Sequence, residues 1–553
     1  MDELNFNTKY SQIEATLVLR NGIVHSFDKE NTVADSLAAF GDRIIALGPD
    51  KDIRKLIGPR TKEIDLDGRT VLPGFIDAHE HLSVFSETLL QLDLSPAKIN
   101  YSLDGLLDLV RSEAKHVGPG EWVRGALFDD TKLGEKQRLS LTDLDSAAPG
   151  NPVIIIHVSG NVGIVNSEAL RRAVLNRNSL DPKGGKLGRD EKTGDLNGYL
   201  YSNALFQFAN DQMNREGSIV PPFPRHVRNS ALLKGAEILS AAGVTSVCDA
   251  WGSPNYLMSY QDMTQDHSFP LRVNILLFHI WLPELETLKL SGNWGNEWLR
   301  CTGIKLIVDG AIAGRTAALR DGYTNDPNDH GILVFEDQEE LTHVVKRIHR
   351  LGYQACIHAN GDIAIDMALN AIAEAQSEIP APKIRHRIEH CTVINDGILE
   401  RMRDLNVLAI PFGSYVWQHG EKILPYYGEQ RSQMMFAHRS FLEAGVRVAG
   451  ASDHPAGLYP PLLGVQSMFT RKTSSGQVIG SKQKISLEEA FKMYTTYAAY
   501  ASLEENTKGS LTPGRLADMV VLAEDPWKVD PDEISKIRVD MTVMGGRIRF
   551  ERL

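Results

Sequence analysis

The chain has 553 residues, enough to bury a large core and to divide into more than one domain. Its composition is that of a globular protein, 42% hydrophobic and 24% charged. It contains no uninterrupted run of the roughly 18 apolar residues that a membrane span requires. The net charge of -12, from 59 Lys and Arg against 71 Asp and Glu, argues against nucleic acid and against an anionic membrane surface as partner.

The first residues, Met1 to Asn5, are acidic and polar and do not read as a signal peptide. Cys248, Cys301, Cys356 and Cys391 show no C-x-x-C spacing, and three of them lie in or beside apolar runs. The expectation is a cytoplasmic protein without a disulfide framework.

In chain order, the opening seventy residues read as β structure. Ala15–Arg20 and Ile23–Phe27 flank Asn21-Gly22, a dipeptide suited to a tight hairpin, and Ser36–Phe40 and Arg43–Leu47 surround Gly41-Asp42 in the same way. The far end has a similar texture: Ala517–Leu522 and Val539–Met544 are strand-like, and Gly545-Gly546 turns into Arg547–Phe550. The two ends form either one small β domain, from residues 1–70 and 505–553, or a sheet each.

The middle, residues 71–504, alternates short apolar runs with helical patterns. Candidate parallel strands are Val71–His79, Val244–Ala250, Leu271–Ile280, Ile304–Val308, Tyr353–His358, Ile384–His390, Val407–Phe412 and Val446–Ser452. That set suffices for a (β/α)8 TIM barrel. A doubly wound open sheet is the alternative, weakened because no Gly-x-Gly-x-x-Gly occurs; Gly118-Pro119-Gly120 has the wrong spacing. The long interval between the first two runs, about residues 82–229, reads as an inserted subdomain on the active-site side.

The chemistry starts at Gly74-Phe75-Ile76-Asp77-Ala78-His79-Glu80-His81. Residues i and i+2 of a strand share a face, so both imidazoles can reach one metal ion where the strand ends. Such a pair alone could be two surface histidines. However, His358, His390 and Asp453 each follow or end a later strand, where a parallel barrel places its active site. A lone His or Asp there would be a packed or capping residue; the recurrence points to a metal centre.

These segments resemble the amidohydrolase superfamily, and within it the amidohydrolase-3 group that includes N-substituted formamide deformylase-like enzymes. The likeness is carried by residues 74–81, 304–310, 357–362, 387–390 and 451–453, and by Lys508–Asp518, which is similar to the segment re-entering the family's β-sandwich. The resemblance implies a barrel with a long insertion after the first strand and a small β-sandwich from both termini. It implies one or two divalent ions, zinc first, with manganese, iron or nickel as alternatives. His79, His81 and Asp453 would hold one ion, His358 and His390 the other, and Lys305 would bridge them as an N6-carboxylated lysine. Read from the residues alone, Lys305 sits in an apolar run where an ammonium is costly unless paired, for instance by Asp309, or chemically altered. Hydroxide generated at the metal would attack a small-molecule amide, formamide, urea or carbamate, with Asp453 as proton carrier. An ester or aryl halide could suffer the same attack, and a barrel without metal could serve only for binding.

Six further residues are candidate substrate contacts. Arg315 and Tyr323 follow the Lys305 strand, and Arg315 could bind substrate or brace its own loop. Asn161 stands where many relatives have His; it can donate a hydrogen bond but carries no charge. Trp251, Phe412 and Trp417 lie after candidate strands and could wall a pocket for an apolar or aromatic substrate, or simply pack their loops. A homodimer is the expected assembly for a large cytoplasmic enzyme.

Overall fold

The computed structural model describes residues 14–133, 138–209 and 217–552; Met1 to Asn5 lie outside them. Seven parallel strands build the barrel: β1 (Phe75–Glu80), β2 (Val244–Gly252), β3 (Arg272–Phe278), β4 (Leu299–Ile307), β5 (Gln354–Ala359), β6 (Arg387–His390) and β7 (Leu408–Ile410), hydrogen-bonded in that order. Every residue of β3 is buried, as expected for a strand with the barrel interior on one face and helices on the other. The helices Gln338–Arg350 and Asp362–Glu378 flank β5, and each packs its apolar stripe on the strands.

The eighth predicted strand, 446–452, is not a regular strand. It touches β7 through parallel bridges at Ala409–Val448 and Phe412–Ala451. On its other side the residues after helix Leu487–Met493 are wedged against β1. The Gly450 N–H donates to the Met493 carbonyl (3.0 Å) and the Ile76 N–H to the Tyr494 carbonyl (2.7 Å). The insert takes part of the β1 edge, while the Ala78 N–H still donates to the Gly450 carbonyl of the eighth segment (3.4 Å). Closure is completed at the carboxyl end, where the Asp453 N–H donates to the His79 carbonyl at 2.9 Å.

The first predicted strand also divides. Thr70–Pro73 pairs antiparallel with Met519–Leu522 in another sheet, and only after Gly74 does β1 begin. A Cβ on Gly74 would lie 2.3 Å from Thr245, so the crossing point admits no side chain. That other sheet runs Arg547–Glu551, Val539–Met544, Met519–Leu522, Thr70–Pro73, Ile23–His25, Val33–Ala34, and so joins both ends of the chain. It packs on a four-stranded sheet of Arg43–Gly48, Ser36–Phe40, Leu17–Arg20 and Lys62–Asp65, with Leu19, Val24, Leu37, Val71, Val521 and Val543 in one shared core. The hairpin around Gly41-Asp42 forms as the sequence predicts. The one around Asn21-Gly22 does not: Asn21 takes the left-handed turn (φ 60°), but the strands on either side enter different sheets. The turn is a corner of the sandwich.

The insertion between β1 and β2 carries its own sheet, in the order Gly185–Arg189, Leu196–Ser202, Val162–Val165, Val153–His157, Val123–Phe128, Leu92–Asp93. Barrel structure resumes at helix Arg225–Ala241, slightly before the expected limit at residue 229. No helix among the described residues is long and apolar enough to cross a membrane.

Candidate metal centre

Polar groups converge at the carboxyl ends of β1, β4, β5 and β6. One ring nitrogen each of His79 and His390 and one carboxylate oxygen of Asp453 lie within 4.8 Å of one another, and all three residues are buried. His81 and His358 border this group, with ring centroids 5.0 Å from His79 and 4.5 Å from His390 respectively.

Each side chain is held by identifiable partners. His79 Nδ1 lies 2.5 Å from Glu389 Oε2, and a carboxylate can only accept, so Nδ1 carries the proton and Nε2 presents its lone pair to the site. Glu389 is in turn gripped by Arg387, whose Nε and Nη2 donate to it at 2.5 and 2.8 Å. Burial opposes the ionised carboxylate, but Arg387 and His79 outweigh burial and hold Glu389 well below the usual carboxylate range. His358 Nε2 donates to the Gly310 carbonyl at 3.0 Å, which leaves Nδ1 as its lone pair. Burial lowers His81 to about 4 and His358 to about 3, so both imidazoles are neutral ligands at ordinary pH.

Asp453 Oδ1 sits 2.9 Å from His81 Nε2 and 3.3 Å from His79 Nε2. Burial would raise its pKa, yet His390 and the hydrogen bond from His81 hold the carboxyl well below its normal value. Asp453 and His390 both adopt left-handed backbone conformations, φ 56° and 70°. Residues with a Cβ pay for that region, and such strain concentrates where a side chain must be aimed away from its strand's regular alternation.

Lys305 lies on β4 and is 1% exposed. Its Nζ is 3.2 Å from His79 Nε2, and among the described residues no carboxylate oxygen comes within 4.0 Å of it. Asp309 is not its partner: that carboxylate accepts the backbone N–H groups of Ala318, Asn360 and Gly361 at 2.7–2.9 Å and so pins the loops after β4 and β5 together. Burial lowers the Lys305 pKa. The donor set of neutral imidazoles, an ionised carboxylate and a buried amine hydrogen-bonded to His79 fits a divalent cation.

Above this cluster lies a cavity of about 320 Å³. Of the predicted substrate contacts, Asn161, Trp251 and Phe412 line it. The Phe412 ring stacks on His390 at 4.4 Å, and Trp251 meets the His81 ring edgewise at 5.2 Å. Arg315, Tyr323 and Trp417 do not line it. The Arg315 guanidinium bonds Asp329 (2.7 Å) and covers Tyr323, whose hydroxyl donates to the Ala317 carbonyl (2.9 Å), so both brace the loop. On helix Tyr415–Ser432 the cavity is lined by Tyr415, His419 and Lys422, at helical spacing, and Trp417 falls off that face. Sequence reasoning assigned no role to the Arg387–Glu389 pair. Their i, i+2 spacing beside His390 is a signal that could have shown it.

A parallel barrel with buried histidines and an aspartate gathered at its carboxyl end is the architecture of a barrel hydrolase. Residues 62–550 match the amidohydrolase family, and the chain belongs to that family. It is 29% identical to the N-substituted formamide deformylase of Arthrobacter pascens, over 97% of this chain and 98% of that one. It is 28% identical to YtcJ of Bacillus subtilis, over 97% and 99%. The crystal structure of an uncharacterized metal-dependent hydrolase from Pyrococcus horikoshii shares the fold, with a TM-score of 0.75 at 24% identity, covering 93% of this chain and 99% of that one.

Proposed function

We propose that the protein is a metal-dependent hydrolase of C–N bonds in small molecules: amides, N-substituted formamides, ureas or carbamates. The observation that carries this reading is the meeting of His79, His390 and Asp453 beside a buried amine, Lys305, hydrogen-bonded to His79. A relative named for deformylation of N-substituted formamides supports the choice of bond. His79, His81 and Asp453 would hold one divalent ion, zinc by preference, and His358 and His390 a second. Lys305, on adding CO₂ and releasing a proton, would become the carbamate between them. The bound ions would supply Lewis acidity, lowering the pKa of water from 15.7 toward about 7 and polarising the substrate carbonyl.

The remaining work falls to the chain. Water adds to the carbonyl carbon, a C–O bond forms, the C–N bond breaks, and one proton must travel from water to the departing nitrogen. Asp453 is ionised and faces His79 and His81, and it would accept that proton and hand it on. Glu389 keeps the His79 lone pair turned inward, and Asp309 fixes the loop whose Gly310 carbonyl orients His358. Four buried free thiols accord with a reducing cytoplasm as its location.

The test combines metal analysis with hydrolysis assays on formamides, anilides, ureas and carbamates. At least one ion per chain, activity lost to a chelator and regained with zinc, and loss of bound metal in Lys305→Ala are expected. Full activity in metal-free protein would overturn the reading.

A further inference from the structure

The insertion supplies much of the cavity wall, and that wall has a definite chemistry. Ile156 and Val158 come from and just beyond one insertion strand, and Leu205 and Phe206 from the helix Asn203–Ala209. Phe206 is 6% exposed and meets Trp251 edge to face at 5.8 Å; Trp251 in turn abuts His81. Gly163 leaves the space Leu205 occupies, since a Cβ there would lie 2.5 Å from Leu205 Cδ1. A continuous apolar surface therefore runs from the site histidines outward along the insertion. Polar groups line the same cavity on this side: Glu87, Asn161, and Asp129 with His157, whose Nε2 lies 3.9 Å from Asp129 and 3.3 Å from Asp130. Lys422 lies on the opposite helix.

We propose that the insertion selects the leaving amine: the wall of Phe206, Leu205, Ile156, Val158 and Trp251 takes a flat, uncharged, apolar N-substituent such as an aryl group. This deepens the hydrolase reading above and rests on it. The cavity has room for a ring joined to an amide, and an aromatic ring gains from edge-to-face contact with Phe206 and Trp251. A carboxylate placed against Phe206, Leu205, Ile156 and Val158 would lose its hydration, and none of those four side chains can donate a hydrogen bond in return.

Binding can be read without turnover, using ketones that have no C–N bond to cleave. Phenylacetone replaces the nitrogen of acetanilide by carbon, and levulinate does the same for N-acetylglycine. Calorimetry on the metal-loaded full chain should show phenylacetone binding at least about tenfold tighter than levulinate. Phe206→Ala should weaken phenylacetone about tenfold and leave levulinate unchanged. Ile156→Ala, at a partly exposed position, should shift phenylacetone about threefold in the same direction and decides the matter if Phe206→Ala does not fold. Equal affinity for the two ketones, or no response to the folded variants, overturns the proposal. If the binding pattern holds but no anilide or formamide is hydrolysed, the hydrolase reading fails and the pocket stands.

Discussion

The two ends of the barrel treat buried charge differently. At the amino-terminal end of the strands two buried polar networks close on themselves. Arg272 Nε and Nη2 meet Asp518 at 2.7 and 3.0 Å while Nη1 donates to the Glu297 carbonyl. The Ala355 N–H donates to His386 Nδ1, His386 Nε2–H donates to His349 Nδ1, and His349 Nε2–H ends the chain on the Ile379 carbonyl. At the carboxyl end, Lys305 has no counter-charge within ion-pair distance among the described residues, lone pairs of His79 and His358 face inward, and the backbone is strained at His390 and Asp453. Satisfied networks hold a fold together; unsatisfied and strained ones are kept where something else must bind.

That contrast can be broken or sharpened by substitution. Asp453→Asn removes the proton carrier and should lower kcat by about 10³-fold in metal-loaded protein, measured by steady-state kinetics with metal content as control. Arg272→Ala leaves Asp518 buried without its partner and should cost about 3–5 kcal/mol in denaturant unfolding, with metal affinity unchanged. If Arg272→Ala weakened metal binding as strongly as a change at the carboxyl end, the two ends would not be independent. Glu389→Gln should cut metal affinity about 10- to 100-fold in chelator competition, because a neutral amide is a weaker acceptor for His79 Nδ1–H and can turn its NH₂ toward the ring instead.

The smallest effect is one of pH. Burial depresses His386 to about 3, against an unfolded value of about 6.5. Below pH 6.5 the unfolded chain binds a proton that the folded chain refuses. The stability is therefore fully present above 6.5 and is lost as pH falls toward 3, at about 1.4 kcal/mol per pH unit. Between pH 5.5 and 4, stability should fall about 1.4 kcal/mol per pH unit less steeply in His386→Gln than in the parent chain, read from unfolding curves.

Much of the barrel and most of the site were legible in the sequence because both obey short periods. Strand alternation ties His79 to His81, and an apolar run that stops at His358 or His390 marks a strand's carboxyl end. The Asn21-Gly22 turn was legible too, but not the sheets it separates, since a turn's dihedral angles say nothing about which strands its arms will join. Which of Arg315, Tyr323 and Trp417 would reach the cavity was not legible for a related reason: residue type and loop position do not reveal which face of a loop or helix meets a cavity.

What the sequence by itself determined is the inventory, six metal-type side chains at or near strand ends and two β-rich termini. The tertiary structure decided which of them meet. It replaced a regular eighth strand by a segment that shares its contact with β1 with residues 493–494, and it split the first predicted strand at Gly74 between two sheets. It also brought Glu389 behind His79 across 310 residues of sequence and left Lys305 beside that imidazole without a carboxylate. These outcomes depend on long-range hydrogen bonds and burial, which no local period encodes, because the competing partners are separated in the chain and adjacent only after the barrel has closed.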